Sequence, residues 1–219
     1  KVLVIAPHPD DETLGCGGTL FRHKAEGDEI YWVIVTAISV DTGWSDKAVK
    51  IRDAEIKASA KKYGFADVFN FRFPTTKIDT YPLSDLVEKI NGIIRKVSPE
   101  IIYMPFIHDV HTDHQIIASA VQSTIKWFVH PSIKKVLMYE TLSETEFNYI
   151  GDKVFRPNVF VNISEFLNDK IDTMKIYASE LKEHPFPRSE KSIKALATLR
   201  GGQSGYQSAE AFELVMERH

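Results

Sequence analysis

The chain opens with Lys1-Val-Leu-Val-Ile-Ala-Pro-His-Pro-Asp-Asp-Glu12. Val2 to Ala6 is apolar without interruption, which is how a parallel strand buried on both faces reads. The run gives way at Pro7 to His8, Asp10 and Asp11. A strand that ends in His and Asp places titratable groups at its C-terminal edge, where α/β sheets carry their ligands.

Beyond this strand the pattern alternates. The segment 14–26 reads as a helix stopped by Gly27, and 29–36 as a second buried strand. A polar loop, 37–45, precedes a helix over 46–63 that Asp46 can cap and Gly64 ends. A short strand is expected at 67–72. Leu83, Leu86, Val87, Ile90, Ile93, Ile94 and Val97 mark an amphipathic helix closed by Ser98-Pro99. Strands follow at 100–105, 133–139 and 158–162, with a helix from Thr112 or Asp113 to about Trp127 and another over 164–180. The tail is less regular, with a helix near 189–199 and the polar stretch Arg200-Gly-Gly-Gln-Ser-Gly205. This alternation predicts an α/β fold: a Rossmann-like three-layer sandwich with a mostly parallel sheet in the order 3-2-1-4-5. The 219 residues read as one domain, with a core over 1–162 and a C-terminal helical and loop extension over 163–219.

Composition narrows the chemistry. Lys plus Arg is 27 and Asp plus Glu 30, a net charge of −3, so no basic excess collects nucleic acid phosphates. No apolar run approaches the ~20 residues of a membrane-spanning helix. No signal-peptide pattern opens the chain, and the expected compartment is cytoplasmic. The single cysteine, Cys16, excludes a disulfide framework and a cysteine-rich zinc site. Any metal must therefore be held by histidines and carboxylates, and four of the eight histidines fall in two short segments: His8, and His108, His111 and His114.

The expected strand order makes strands one and four neighbours at the point where the sheet reverses direction. The segments that follow them, Pro7 to Glu12 and Phe106 to His114, then face each other across one crevice. Either alone would read as helix capping; the pair points to a metal. His8 and Asp11 are spaced i, i+3, as are His111 and His114. Two imidazoles and a carboxylate suit zinc with an open fourth position, which brings the pKa of bound water toward ~7. Asp10 stands one residue from a ligand, ionised at neutral pH and able to accept a proton.

Ala6-Pro-His-Pro-Asp-Asp-Glu12 with Leu14-Gly-Cys-Gly-Gly18 resembles the signature of the PIG-L/LmbE-like zinc-dependent de-N-acetylases. Asp109-Val-His-Thr-Asp-His114 resembles that family's second motif, and Ala209-Glu-Ala-Phe212 a weaker feature of its tail. The resemblance implies that His8, Asp11 and His114 hold Zn2+ and that Asp10 is the general base. It places His111 at the scissile amide as oxyanion stabiliser and proton donor, with Asp113 orienting His111. The reaction it implies is hydrolysis of an N-acetyl group from an N-acetylglucosamine-type sugar or glycoconjugate, releasing acetate. It also brings Arg52, of an Arg-x-x-Glu pair with Glu55, toward the substrate.

Other residues carry weaker readings. Trp44 can stack on a sugar ring or pack its loop, and His184 can line the substrate groove. Glu12 can cap or brace the first helix. Gly15, Gly17 and Gly18 permit close helix packing. His23, His130 and His219 read as surface residues. Two other functions compete. A non-haem iron enzyme uses the same two-His-one-carboxylate set, usually as His-x-Asp/Glu on a β-rich fold. A Rossmann-like nucleotide-binding module would need the Gly-x-Gly-x-x-Gly pattern, which is absent here. The expected partner is a small-molecule substrate, and a homo-oligomer is left open.

Overall fold

Along the first strand, β1 (Val2–Ala6), alternate side chains serve opposite layers. The structure, a computed structural model, describes residues 1–150 and 152–219. Leu3 and Ile5 enter one core with Val33, Val35, Ile90 and Val121, whereas Val2, Val4 and Ala6 enter a second with Leu20, Trp32 and Tyr63. Both faces of the sheet are covered, as the uninterrupted apolar run requires.

The other elements are α1 (Asp11–Ala25), β2 (Ile30–Ala37), α2 (Asp46–Tyr63), β3 (Asp67–Pro74), α3 (Leu83–Val97), β4 (Ile101–Pro105), α4 (Thr112–Thr124), β5 (Lys135–Tyr139), β6 (Val159–Asn162), α5 (Leu167–Met174), α6 (Glu190–Ser204) and β7 (Ala209–Glu217). The sheet order is β3-β2-β1-β4-β5-β7-β6. The first five strands are parallel in the expected 3-2-1-4-5 order, and β7 runs antiparallel between β5 and β6. β1 lies between β2 and β4, so the loops after β1 and β4 open on the same crevice.

Several expectations change. β7 was not anticipated as a strand; its Ala, Glu, Leu and Met are helix formers, and the open edge of β5 overrides them. The helix expected at 164–180 is confined to Leu167–Met174, after which turns carry Tyr177 and Glu180 toward the first crevice loop. α6 runs on through Arg200-Gly-Gly to Ser204. Ser45 rather than Asp46 caps α2, its Oγ accepting from the Ala48 amide at 3.1 Å. His130 is buried against Asn91, and His23 is half-buried between Asp28 and Tyr103, so neither is a free surface residue.

α1 is broken at Cys16 (φ −143°, ψ 23°). At the break the Glu210 carboxylate accepts from the amides of Gly18 (2.9 Å) and Thr19 (2.7 Å), so an anion sits on the positive end of the second half-helix. Lys170 from α5 completes the arrangement at 2.6 Å from Glu210 and 2.8 Å from the Leu14 carbonyl. Glycines let the layers close here. A Cβ on Gly15 would lie 2.2 Å from the Tyr139 ring, and one on Gly18 would lie 2.7 Å from Ile163. The tail is thereby bound to the helix that carries Asp11.

Both members of the Lys170–Glu210 pair are buried. Glu210→Ala strands the ammonium and is expected to cost about 3–5 kcal/mol in denaturant unfolding. Lys170→Met combined with Glu210→Gln should cost less, because no unpaired charge remains.

Candidate metal centre and cavity

The turn that ends β1 folds back so that the His8 amide donates to Asp11 Oδ2 at 2.7 Å. Asp10, between them, takes φ 132°, a conformation rarely adopted outside glycine, and its carboxylate is buried. Across the crevice α4 begins at Thr112 and carries His114 inward. The donor atoms meet as a triangle: His8 Nδ1 to Asp11 Oδ2 is 3.3 Å, His114 Nε2 to Asp11 Oδ2 is 3.3 Å, and His114 Nε2 to His8 Nδ1 is 3.4 Å. Ligand atoms ~2.1 Å from a tetrahedral ion stand about 3.4 Å apart, so these three atoms fit one.

The other nitrogen of each imidazole is held. His8 Nε2 meets Asp113 Oδ2 at 3.1 Å, and His114 Nδ1 meets Asp109 Oδ2 at 2.8 Å. Thr76 donates its amide to Asp113 Oδ2 (2.8 Å), and Thr145 its hydroxyl to Asp109 Oδ1 (2.6 Å). Carboxylates behind the imidazoles are the usual way to fix a metal-binding tautomer. The expectation for Asp113 is corrected here. Its carboxylate orients His8, because α4 turns it toward β1; only its backbone amide meets His111, at Nδ1 (3.1 Å). His111 is thus the N-cap of α4, a role expected of Thr112 or Asp113. With Nδ1 accepting, the neutral ring carries its proton on Nε2.

The charges follow from these contacts. Burial alone would lower His8, but Asp11 and Asp113 outweigh it and push the imidazole up to about 9. Burial likewise opposes His114, which Asp11 and Asp109 hold well above the usual range. Burial would raise Asp11, yet His114 and His8 hold it well below. His111 goes the other way: burial, with His8 and His114 nearby, pushes it down to about 4, so it is neutral at ordinary pH. Burial, with Asp11 and Glu180, raises Asp10 well above the usual carboxylate range against the pull of Arg188 and Arg52, so the ionised Asp10 expected from its ordinary pKa is disfavoured in the metal-free site. Burial pushes Glu12 up to about 7, although Thr13, Tyr177 and the Asp10 amide all donate to it. Glu12 braces the turn and faces no part of the cavity lining.

A cavity of about 530 Å3 opens beside the triangle. His8, Asp10, Asp11 and His111 line its floor; Trp44, Ala48 and Ile51 form an apolar wall; Arg52, Glu55, Glu180, Arg188 and Glu144 are among the other lining residues. Arg188 Nη1 lies 3.3 Å from Asp10 Oδ2, and its other terminus 3.2 Å from Glu180. Arg52 pairs with Glu55 (2.9 Å) and Glu180 and donates to the Pro9 carbonyl (3.2 Å), which secures the turn holding His8 and Asp10. His184 lies outside this cavity. The segment that turns Arg188 inward leaves His184 exposed, in a separate hollow with Lys182 and Lys191. His108 packs on Phe106 and is not among the lining residues.

Residues 3–125, which contain every donor of the triangle, match the family model described as PIG-L: GlcNAc-PI de-N-acetylase. The chain belongs to the PIG-L family. It is 27% identical to the diacetylchitobiose deacetylase of Thermococcus kodakarensis, across 98% of this chain and 83% of that protein. It is 24% identical to a probable N-acetyl-alpha-D-glucosaminyl L-malate deacetylase 2 of Bacillus cereus, across 82% of this chain and 83% of that one. The fold superposes on the N,N'-diacetylchitobiose deacetylase of Pyrococcus horikoshii with a TM-score of 0.78, at 21% identity, covering 98% of this chain and 83% of that one. Among the described residues no helix is long and apolar enough to cross a membrane.

Asp109 and Glu180 enter the site with no role assigned from sequence. Asp109 lies inside the second motif and Glu180 carries no signal, whereas Arg188, with Arg52, is where the sequence would place a patch for an anionic substrate. The raised pKa of His8 has a measurable consequence. A group raised on folding contributes stability that is complete below its unfolded pKa, near 6.5, and is lost as pH rises through about 9. In metal-stripped protein His8 alone should therefore contribute a loss of about 3 kcal/mol of unfolding free energy between pH 6.5 and 9, and the raised His114 adds to it. Flat stability across that window would show that His8 does not hold the proton.

Proposed function

We propose that the protein is a zinc-dependent hydrolase that removes the acetyl group from a 2-acetamido sugar of the N-acetylglucosamine type. The observation that carries this reading is the triangle of His8, Asp11 and His114 donor atoms, with Asp10 and His111 on the floor of the same cavity. Membership of a family of de-N-acetylases supports it. So do the names of the relatives, which are deacetylases of N-acetylated sugars.

When bound by these three residues, zinc supplies Lewis acidity and brings the pKa of a coordinated water toward ~7. The chain's own groups do the rest. Asp10 takes the proton from the attacking water. Neutralising Asp11 would remove one of the three causes that raise Asp10, the others being burial and Glu180, and so favour its carboxylate form as the base. Oxygen bonds to the acetyl carbon, and the carbonyl oxygen takes up negative charge. His111, neutral and protonated at Nε2, donates to that oxyanion and stabilises charge that exists only in the transition state and adduct. The C–N bond then breaks as Asp10 passes its proton to the departing nitrogen, giving acetate and the sugar amine. This assigns the leaving-group proton to Asp10, because His111, with a pKa of about 4, is the neutral imidazole rather than the imidazolium at ordinary pH. Arg188 orients Asp10, while Trp44, Ala48 and Ile51 offer an apolar face for the sugar ring.

The test is acetate release across a panel of N-acetylglucosaminides, with metal content measured on the same samples. Asp10→Asn should keep the zinc and lose roughly 10²–10⁴-fold in kcat. His114→Ala should lose the metal. Full activity of metal-saturated Asp10→Asn would remove Asp10 as the base. Bound iron with oxoglutarate-dependent turnover would overturn the hydrolase itself.

A further inference from the structure

We propose that Glu144 binds the ammonium group of the amine product and makes the cavity hold product more tightly than a neutral sugar. The proposal rests on the deacetylase reading and adds a residue that reading does not use.

Five carboxylates line the cavity: Asp10, Asp11, Glu55, Glu144 and Glu180. Four have a cationic or metal-binding partner. Asp10 and Glu180 share Arg188, Glu55 and Glu180 share Arg52, and Asp11 belongs to the triangle with His8 and His114. Among the described residues Glu144 forms no ion pair, and its carboxylate accepts from the Ser143 hydroxyl at 3.1 Å. Burial penalises its charged form and, with Asp11 nearby, raises its carboxyl above the usual range, against the weaker pull of His114, the Ser143 hydroxyl and Arg188. A cation placed beside it removes that penalty.

The backbone fixes Glu144 relative to the reacting groups. Ser143 takes φ 77°, which turns the chain sharply after β5. The Glu144 amide donates to the Thr141 carbonyl (3.1 Å), and its carbonyl accepts from Val110, the neighbour of His111 (3.2 Å). The next residue, Thr145, donates to Asp109, which orients His114. Glu144 thus stands on the same scaffold as two of the site histidines.

The chemistry distinguishes product from substrate. The acetamido nitrogen is neutral and has one N–H. After the C–N bond breaks, the amine takes up a proton and becomes an ammonium with three N–H donors. A carboxylate facing the cavity gains a charge-assisted hydrogen bond only with the ammonium. Arg52 and Arg188 are already engaged by carboxylates, and Arg188 offsets only part of the burial penalty on Glu144.

The experiment compares inhibition of acetate release by glucosamine and by glucose, which has a hydroxyl in place of the amine. Zinc-loaded parent, Glu144→Gln and Glu144→Asp proteins are used. The parent should bind glucosamine roughly tenfold or more tightly than glucose, as expected for a charge-assisted contact. Glu144→Gln should bring that ratio close to one, and Glu144→Asp should keep part of it. An unchanged ratio in Glu144→Gln, or a parent that does not discriminate, overturns the proposal; the second outcome needs no variant to fold. If the parent releases no acetate, the deacetylase reading fails by itself. Calorimetric titration of the same proteins with the two sugars then decides the role of Glu144.

Discussion

Asp10, Asp11, Glu12, Asp109 and Asp113 are all buried around two imidazoles, and the rest of the molecule is arranged to tolerate them. Removing a carboxylate from water costs several kcal/mol unless donors replace the solvent. Each donor here comes from a different part of the chain. Tyr177 reaches Glu12 from beyond α5, the Thr76 amide reaches Asp113 from the loop after β3, Thr145 reaches Asp109 from beyond β5, and Arg188 reaches Asp10 from the turn before α6. The site is therefore a reason for the long-range contacts as well as their result. A divalent ion among His8, Asp11 and His114 would complete the compensation.

The same logic explains what could be read in advance. β1 was legible because a strand buried on both faces must be apolar throughout. The order 3-2-1-4-5 then brought His8 and His114 to one crevice without any family likeness. The spacing of the His and Asp residues told of a metal, but not which imidazole each carboxylate would hold. Asp113 was assigned to His111 and instead stands behind His8. Nothing in the spacing distinguishes Asp109, which is the partner of His114. Adjacency in sequence misleads at a helix N-terminus, where successive side chains fan out around the axis.

The tail resisted for a different reason. Ala209 to Glu217 consists largely of residues that favour helix, and only an unpaired edge of β5 makes it a strand. Glu180 and Arg188 have no local signature at all; their roles exist only once turns place them over Asp10 and Arg52. The amphipathic pattern of 164–180 continues past Met174, where the helix ends because contacts to the site win. The glycines of α1 were read correctly as close-packing positions, and Tyr139 and Ile163 are what they admit.

The position of β7 has a consequence for how the chain matures. β6 ends at Asn162, but its hydrogen-bonding partner begins at Ala209, and that partner also separates it from β5. During synthesis β6 leaves the ribosome with no edge to join. The α1 break likewise waits for Glu210 before its amides are satisfied. Early-made strands can align β1 with β4, yet the helix bearing Asp11 acquires its full support only when the last strand slots in. Nascent chains halted before residue 209 would present two unpaired sheet edges, the kind of surface that chaperones retain.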